Sequence, residues 1–243
     1  LNCPNNLTAI ADSGSCETIV FYQEPEGIDN CGGAFTFLLT GNYNFMPSTV
    51  GTTSTCFLSM DGYGNMGFCC FDITVIDAEA PSITCPSNIT VATDLGSCGA
   101  AVNYEVLASD NCFNVNVNQT QGLASGSIFQ VGSTTNMFTV SDGSGNGATC
   151  SFTVTVLDAE APAVSCLDIQ VSPTASSPAT VTASQVTQSA TDNCGVASAT
   201  VTPSTFTCAQ AGQTVPATLH VTDVNGNSSE CVAQVEVLGT GCN

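Results

Sequence analysis

The sequence predicts an all-β chain of three tandem Greek-key β-sandwiches, and three observations carry that expectation. The first is an internal repeat. "DAEAPSITCP" begins at Asp77 and "DAEAPAVSCL" at Asp158, 81 residues apart, and "SDNCFNVNV" from Ser109 has partners in "TDNCGVASA" from Thr191 and "IDNCGGAFT" from Ile28. A fixed period of this kind marks one structural unit written several times. The second is alternation. In "CSFTVTV", Cys150, Phe152, Val154 and Val156 fall on one face and Ser, Thr and Thr on the other, as in a half-buried antiparallel strand. The third is punctuation. "SITCPSNITVAT", "GAAVNYEVLA", "NVNVNQT" and "TTNMFTVS" are rich in strand formers and are separated by "DLGS", "SDN", "GLASGS" and "DGSGN", with no helical period of useful length between them. The expected domains are residues 1–80, 81–161 and 162–243, joined by the two DAEAP segments.

Domains of about 80 residues bury little core and usually need staples. The chain has 15 cysteines in 243 residues, which places it in an oxidising compartment, outside the cell. It shows no apolar run of transmembrane length and no charged-then-apolar leader, and it reads as a mature secreted segment. Lys plus Arg number zero against 20 acidic residues, a net charge of −20. Nothing can neutralise phosphates, so nucleic acid and anionic membrane surfaces are excluded as partners. No ion pair to Lys or Arg exists, and a trypsin-like protease finds no site. Besides simple acidic solubility, such a composition suits protease resistance or the binding of divalent cations.

Across the middle copy the order "CP-x-NIT", "GSC-x-A-x-V", "SDNC", "GL-x-SGS-x-F-x-VG-x-TT" and "SDGSGN-x-ATC-x-FTVTV-x-D" resembles the hyalin repeat, or HYR, module over its whole length. The first copy lacks the GL-x-SGS segment, and the third departs in its first half. The resemblance implies an immunoglobulin-like sandwich and an extracellular adhesive or matrix role in tandem arrays. It names no ligand.

Sandwich topology restricts the cysteine pairing. The BC and FG loops share one end with the start of the first strand, whereas the AB loop lies at the other, beside the next copy. On that geometry Cys31–Cys69, Cys112–Cys150 and Cys194–Cys231 are the expected bridges within domains. Cys85 and Cys98 flank one strand of about ten residues, roughly 30 Å, and cannot bond each other. Bridges across the joints, Cys16–Cys85 and Cys98–Cys166, are expected instead and would stiffen the array into a rod; local pairing within each domain is the alternative. The third copy has "SSPA" where the others have "GSC". Cys56 and Cys70 flank a hairpin centred on Tyr63 and suit a cross-strand pair, and Cys208–Cys242 suits closure of the third domain. Cys3 is left over.

Acidic and amide residues gather at the joints: Asp77 and Glu79 with Asp110, Asn111 and Asp142 at the first, and Asp158 and Glu160 with Asp192, Asn193 and Asp223 at the second. Ca²⁺ takes six to eight oxygens from such groups, and cadherin arrays resemble this in having acidic, proline-bearing joints. The same residues also serve tight turns by hydrogen bonding their own backbone. N-x-[ST] sequons stand at Asn6, Asn88, Asn118 and Asn227, and covalent glycans are expected on some of them. His220 is the one histidine, at the outward position of Thr139 in the copy before, so neither a histidine metal cluster nor a catalytic triad is expected. The expected function is structural: a self-associating, stapled segment of a fibre, matrix or surface appendage. The alternative is an adhesion module that recognises carbohydrate or protein through sandwich-end loops, with "GNYNFMPSTVG" the divergent loop to inspect.

Overall fold

The computed structural model describes residues 1–112 and 114–242. The first repeat holds β1 (Leu7–Ile10), β2 (Glu17–Ile19), β3 (Phe35–Thr40), β4 (Pro47–Thr49), β5 (Gly51–Met60) and β6 (Met66–Ile76). The second holds β7 (Ser82–Thr84), β8 (Ile89–Ala92), β9 (Gly99–Ala101), β10 (Leu107–Ser109), β11 (Asn116–Gln121), β12 (Ile128–Gln130), β13 (Gly132–Ser141) and β14 (Gly147–Leu157). The third holds β15 (Ala163–Cys166), β16 (Ile169–Val171), β17 (Ala179–Thr180), the single-turn helix α1 (Ala183–Val186), β18 (Thr187–Thr191), β19 (Val196–Thr202), β20 (Thr205–Phe206), β21 (Thr214–Asp223) and β22 (Ser228–Val237). The chain is all-β, as its alternation requires. Along β14 the side chains of Phe152, Val154 and Val156 are buried and their neighbours are not.

Contacts divide the chain into two compact units. One comprises Leu1–Cys85, Glu105–Gln121 and Met137–Ser151; the other comprises Pro86–Tyr104, Gly122–Asn136 and the chain from Phe152 onward. Residues of the second repeat contribute to both.

In the first unit, a sheet of order β1-β6-β5-β3 faces the β2–β4 pair. Val20, Tyr22, Phe57, Phe71, Ile73 and Val75 fill the space between them, with the Tyr22 and Phe71 rings edge to face at 5.0 Å. The same unit pairs β7 with β10, and β11 with residues 137–141 of β13. In the second unit, a sheet of order β16-β22-β21-β19 faces the pairs β15–β18 and β17–β20. Phe206, Leu219, Val221, Val235 and Val237 are fully buried between these layers. Each such side chain contributes about 1.5–3 kcal/mol of burial, which is how modules of this size hold together. The unit also pairs β9 with β12, and β8 with residues 154–157 of β14.

The first strand of each copy, β1 in the first and the split strands β7–β8 and β15–β16 in the others, runs parallel to the last through β1, β8 and β16. Leu7 pairs with Ile73, Ile89 with Val154 and Ile169 with Val235. This register decides the disulfides. Stepping back four residues from Leu7 and Ile73 gives Cys3 and Cys69; the same step from Ile89 and Val154 gives Cys85 and Cys150. These are the bridges formed, Cys3–Cys69, Cys85–Cys150 and, in the third copy, Cys166–Cys231, with Cα atoms 5.6, 5.8 and 5.8 Å apart.

Five expected pairs are corrected by this arrangement. Cys31–Cys69, Cys112–Cys150 and Cys194–Cys231 do not form, because the strand that neighbours the last strand is the first one, not the BC loop. Cys16–Cys85 and Cys98–Cys166 do not form, because Cys85 and Cys166 are already bound to the last strand of their own copy. Cys3 is therefore bonded, and Cys16, Cys31 and Cys112 are the free thiols. A bridge across a joint does exist, to a different acceptor: Cys98 in the AB turn joins Cys194 in the BC loop of the following copy, Cα to Cα 4.7 Å. Cys56 and Cys70 stand directly opposite on β5 and β6 and are bonded, as are Cys208 and Cys242.

Candidate functional site: the two joints

Each joint is assembled from the same four pieces. One is the FG hairpin, whose sequence is Asp-x-x-x-Asn. The Oδ1 of Asp142 accepts the backbone N–H of Ser144 at 2.9 Å and of Asn146 at 2.8 Å, while its Oδ2 accepts the Asn146 side-chain amide at 2.9 Å. Asp223 repeats the pattern with Asn225 and Asn227, and Asp61 with Tyr63 and Asn65. At Asp142 and Asp223 desolvation disfavours the charge, but the Asn side chain and backbone donors outweigh it and hold both carboxyls below the usual value; at Asp61 the Asn65 amide leads the same lowering. The glycine before each Asn, such as Gly145 at φ +93° and Gly226 at +96°, supplies the left-handed conformation that closes the turn.

The second piece is the joint peptide itself. Asn146 Nδ2 also donates to the carbonyl of Asp77 at 3.1 Å, and Asn227 Nδ2 to that of Asp158 at 3.3 Å. The hairpin of one copy thus grips the strand that leaves the copy before. Asn146→Ala should remove both bonds and destabilise the protein by about 1–3 kcal/mol in denaturant unfolding, whereas Asn65→Ala, which removes only a hairpin bond, should fall well below that.

The AB turn and the BC loop complete the set. Glu79 Oε2 accepts the N–H of Gly14 at 2.7 Å, and Glu160 Oε2 that of Gly96 at 3.1 Å. Asn111 Nδ2 donates to Ser15 O at 3.1 Å, and Asn193 Nδ2 to Ser97 O at 2.9 Å. Asp110 caps the N–H of Cys112, and Asp192 those of Cys194 and Gly195.

Of the ten residues expected to ligate calcium, the structure gathers only part. At the second joint Asp158, Asp192 and Asp223 each place a carboxylate oxygen within 4.8 Å of the others; at the first, Asp77 and Asp110 do so together with the Cys112 sulfur. Glu79 and Glu160 turn away to the AB turns, and Asp142, which makes the same hairpin bonds as Asp223, does not join the first cluster. Asp77 is 3% exposed and Asp223 2%. Asp77 Oδ2, Asp158 Oδ2, Asp192 Oδ2 and Asn193 Oδ1 are buried without a hydrogen-bond partner. A buried carboxylate oxygen without a donor is strongly unfavourable unless a cation compensates it, and this chain has no Lys or Arg to do so. Hard oxygen donors of this kind fit Ca²⁺.

Among the sequons, Asn6, Asn88 and Asn118 are exposed, and the first two accept a backbone N–H through Oδ1 alone, from Asp72 and Thr153. Asn227 differs from these: its amide nitrogen donates to Asp158 O and Asp223 Oδ2, so a sugar there would compete with the grip on the joint. His220 lies exposed against Glu230, Nδ1 to Oε1 2.9 Å. No helix among the described residues is long and apolar enough to cross a membrane.

The HYR domain model matches residues 1–75 and 76–156. The chain belongs to the HYR domain family. This HYR chain is similar to hyalin of Strongylocentrotus purpuratus, 34% identical over 161 residues that cover 64% of the chain and 13% of that protein. It is similar to hyalin of Lytechinus variegatus, 32% identical over 171 residues, 68% of the chain and 32% of that protein. It also resembles the sushi, von Willebrand factor type A, EGF and pentraxin domain-containing protein 1 of Rattus norvegicus, 34% identical over 90 residues, 36% of the chain and 2% of that protein. The chain thus spans about a third or less of these relatives. Among solved structures, Drosophila N-cadherin EC1-3 aligns at 10% identity and a TM-score of 0.40, covering 96% of the chain and 98% of that one. The third repeat lies outside the family matches, yet it carries the same sheet order, first-to-last-strand bridge and FG hairpin as the first. Six disulfides and membership in the HYR family make this an extracellular, adhesion-related repeat protein.

Proposed function

We propose that the chain is a structural segment of an extracellular matrix, fibre or surface appendage, three sandwiches of residues 1–80, 81–161 and 162–243 held stiffly at their joints and compensated there by Ca²⁺. The observation that carries this is the duplicated joint. The same hairpin, turn, loop and joint peptide meet twice, and both meetings leave buried carboxylate oxygens without donors. A catalytic centre has no need of such repetition, whereas a load-bearing array does. At the second joint Asp158, Asp192, Asn193 and Asp223 would hold the ion; at the first, Asp77 and Asp110. Exposed sequons at Asn6, Asn88 and Asn118 suit covalent glycans, and self-association through strand edges would build the longer array.

Sedimentation velocity tests this reading. In millimolar calcium the protein is expected to sediment as oligomers and to resist heat until reduced. A protein that stays monomeric in calcium, and whose stability responds only to an added glycan or protein, is an adhesion module instead. One observation favours that second reading: Phe45, in the divergent loop, holds φ +70° and packs an exposed ring on Phe21 at 5.1 Å. A non-glycine residue in that conformation is strained, and such strain gathers at binding loops.

A further inference from the structure

Two thiols stand at the first joint where the second joint has a bridge. Cys16 and Cys112 lie 82 residues before Cys98 and Cys194, and both pairs are separated by 96 residues. The local geometry is also the same. In the AB turns Ser15 N donates to Asp12 O and Ser97 N to Asp94 O, each at 2.9 Å. In the BC loops the cysteine N–H is capped by the preceding Asp, at 2.9 Å for Cys112 and 2.8 Å for Cys194. Asn111 and Asn193 dock loop on turn through one matching bond each. Within that frame Cys16 Sγ lies 2.7 Å from Asn111 O, and Cys112 Sγ 3.5 Å from Ser15 O. Each sulfur thus touches the residue just before the other.

We propose that Cys16 and Cys112 form a disulfide in the secreted protein, locking the first joint as Cys98–Cys194 locks the second. Cys16 attacks an oxidant of the disulfide class, such as oxidised glutathione or a protein disulfide oxidoreductase, and expels one thiolate. Cys112 then attacks the Cys16 sulfur of the mixed disulfide and expels the other. One S–S bond forms and one breaks; the two protons and two electrons lost by the cysteines end on the oxidant as two thiols. With its sulfur so bonded, Cys112 ceases to be a thiol donor at the first cluster, and the joint offers oxygens alone, like the second. The pairing does not depend on calcium. It leaves Cys31, whose BC loop has the same Asp29 cap but which is exposed, as the single thiol.

The test is disulfide mapping of the full chain after secretion into, or refolding in, a glutathione redox buffer. The protein is denatured without reductant, labelled with a maleimide and cut at acidic and aromatic residues, since it has no Lys or Arg. One label, on Cys31, and a linked Cys16–Cys112 peptide pair are expected. Labels on Cys16 and Cys112 in most chains, or either cysteine bonded elsewhere, would overturn the proposal. Cys16→Ser should add a label at Cys112; an unlabelled Cys112 in that variant means its sulfur is engaged by another partner, which also defeats the pairing.

Discussion

Replacing Cys85 and Cys150 together by Ser is expected to cost about 4 kcal/mol of unfolding free energy, the chain-entropy value for a closed loop of 65 residues. The bridge ties the segment ahead of β8 to β14, and on that segment the parallel β8–β14 pairing is only four residues long. Four rungs hold a first strand weakly without a covalent anchor. The loss should appear as a lower denaturant midpoint in the oxidised double variant, with the Cys98–Cys194 and Cys166–Cys231 bridges intact by mass. A loss below about 1 kcal/mol would mean that the first strand holds its place without the sulfur. Reduction of the wild-type protein should have a larger effect, because every copy carries this staple.

Calcium should act on a similar scale. An ion held at one hundred times its dissociation constant contributes about 2.7 kcal/mol per site, so two joints together give about 5 kcal/mol. For a chain of this size that raises Tm by roughly 10 °C or more. The increase should vanish with chelator and survive moderate NaCl, because it arises from coordination and not from screening of the −20 net charge. Asp192→Asn should remove about half of the shift: Asp192 Oδ2 has no donor in the folded protein, and its other oxygen can still cap the N–H of Cys194. Glu160→Gln, at a residue that faces the AB turn, should leave the shift nearly whole.

Much of this molecule is legible in its letters because so much of it is local. Alternation places Phe152, Val154 and Val156 inward without any knowledge of the partner sheet. The Asp-x-x-x-Asn spacing announces a hairpin that caps itself, and the 81–82-residue period aligns every copy. What the letters hide is which strand lies beside which. A sandwich end suits a BC cysteine opposite the last strand, yet the first strand takes that place by parallel pairing across some 65 residues of chain. The signal was nonetheless present: Cys3 and Cys69 each stand four residues ahead of an aliphatic run, Leu7 onward and Ile73 onward. The acidic joints were visible as composition, but composition could not separate Glu79, which reaches back to Gly14, from Asp77, which is buried two residues away. Only the side chain's direction distinguishes a carboxylate that caps a turn from one left without a donor.

Isothermal titration of the oxidised chain with calcium chloride tests the joints most directly. Two saturable sites per chain are expected, with dissociation constants on the order of 10⁻⁴ to 10⁻³ M, falling to one in Asp158→Asn and to none when Asp77→Asn is added. A titration showing only weak, unsaturable heat, or one unchanged in the double variant, would contradict the assignment of these buried oxygens to a cation.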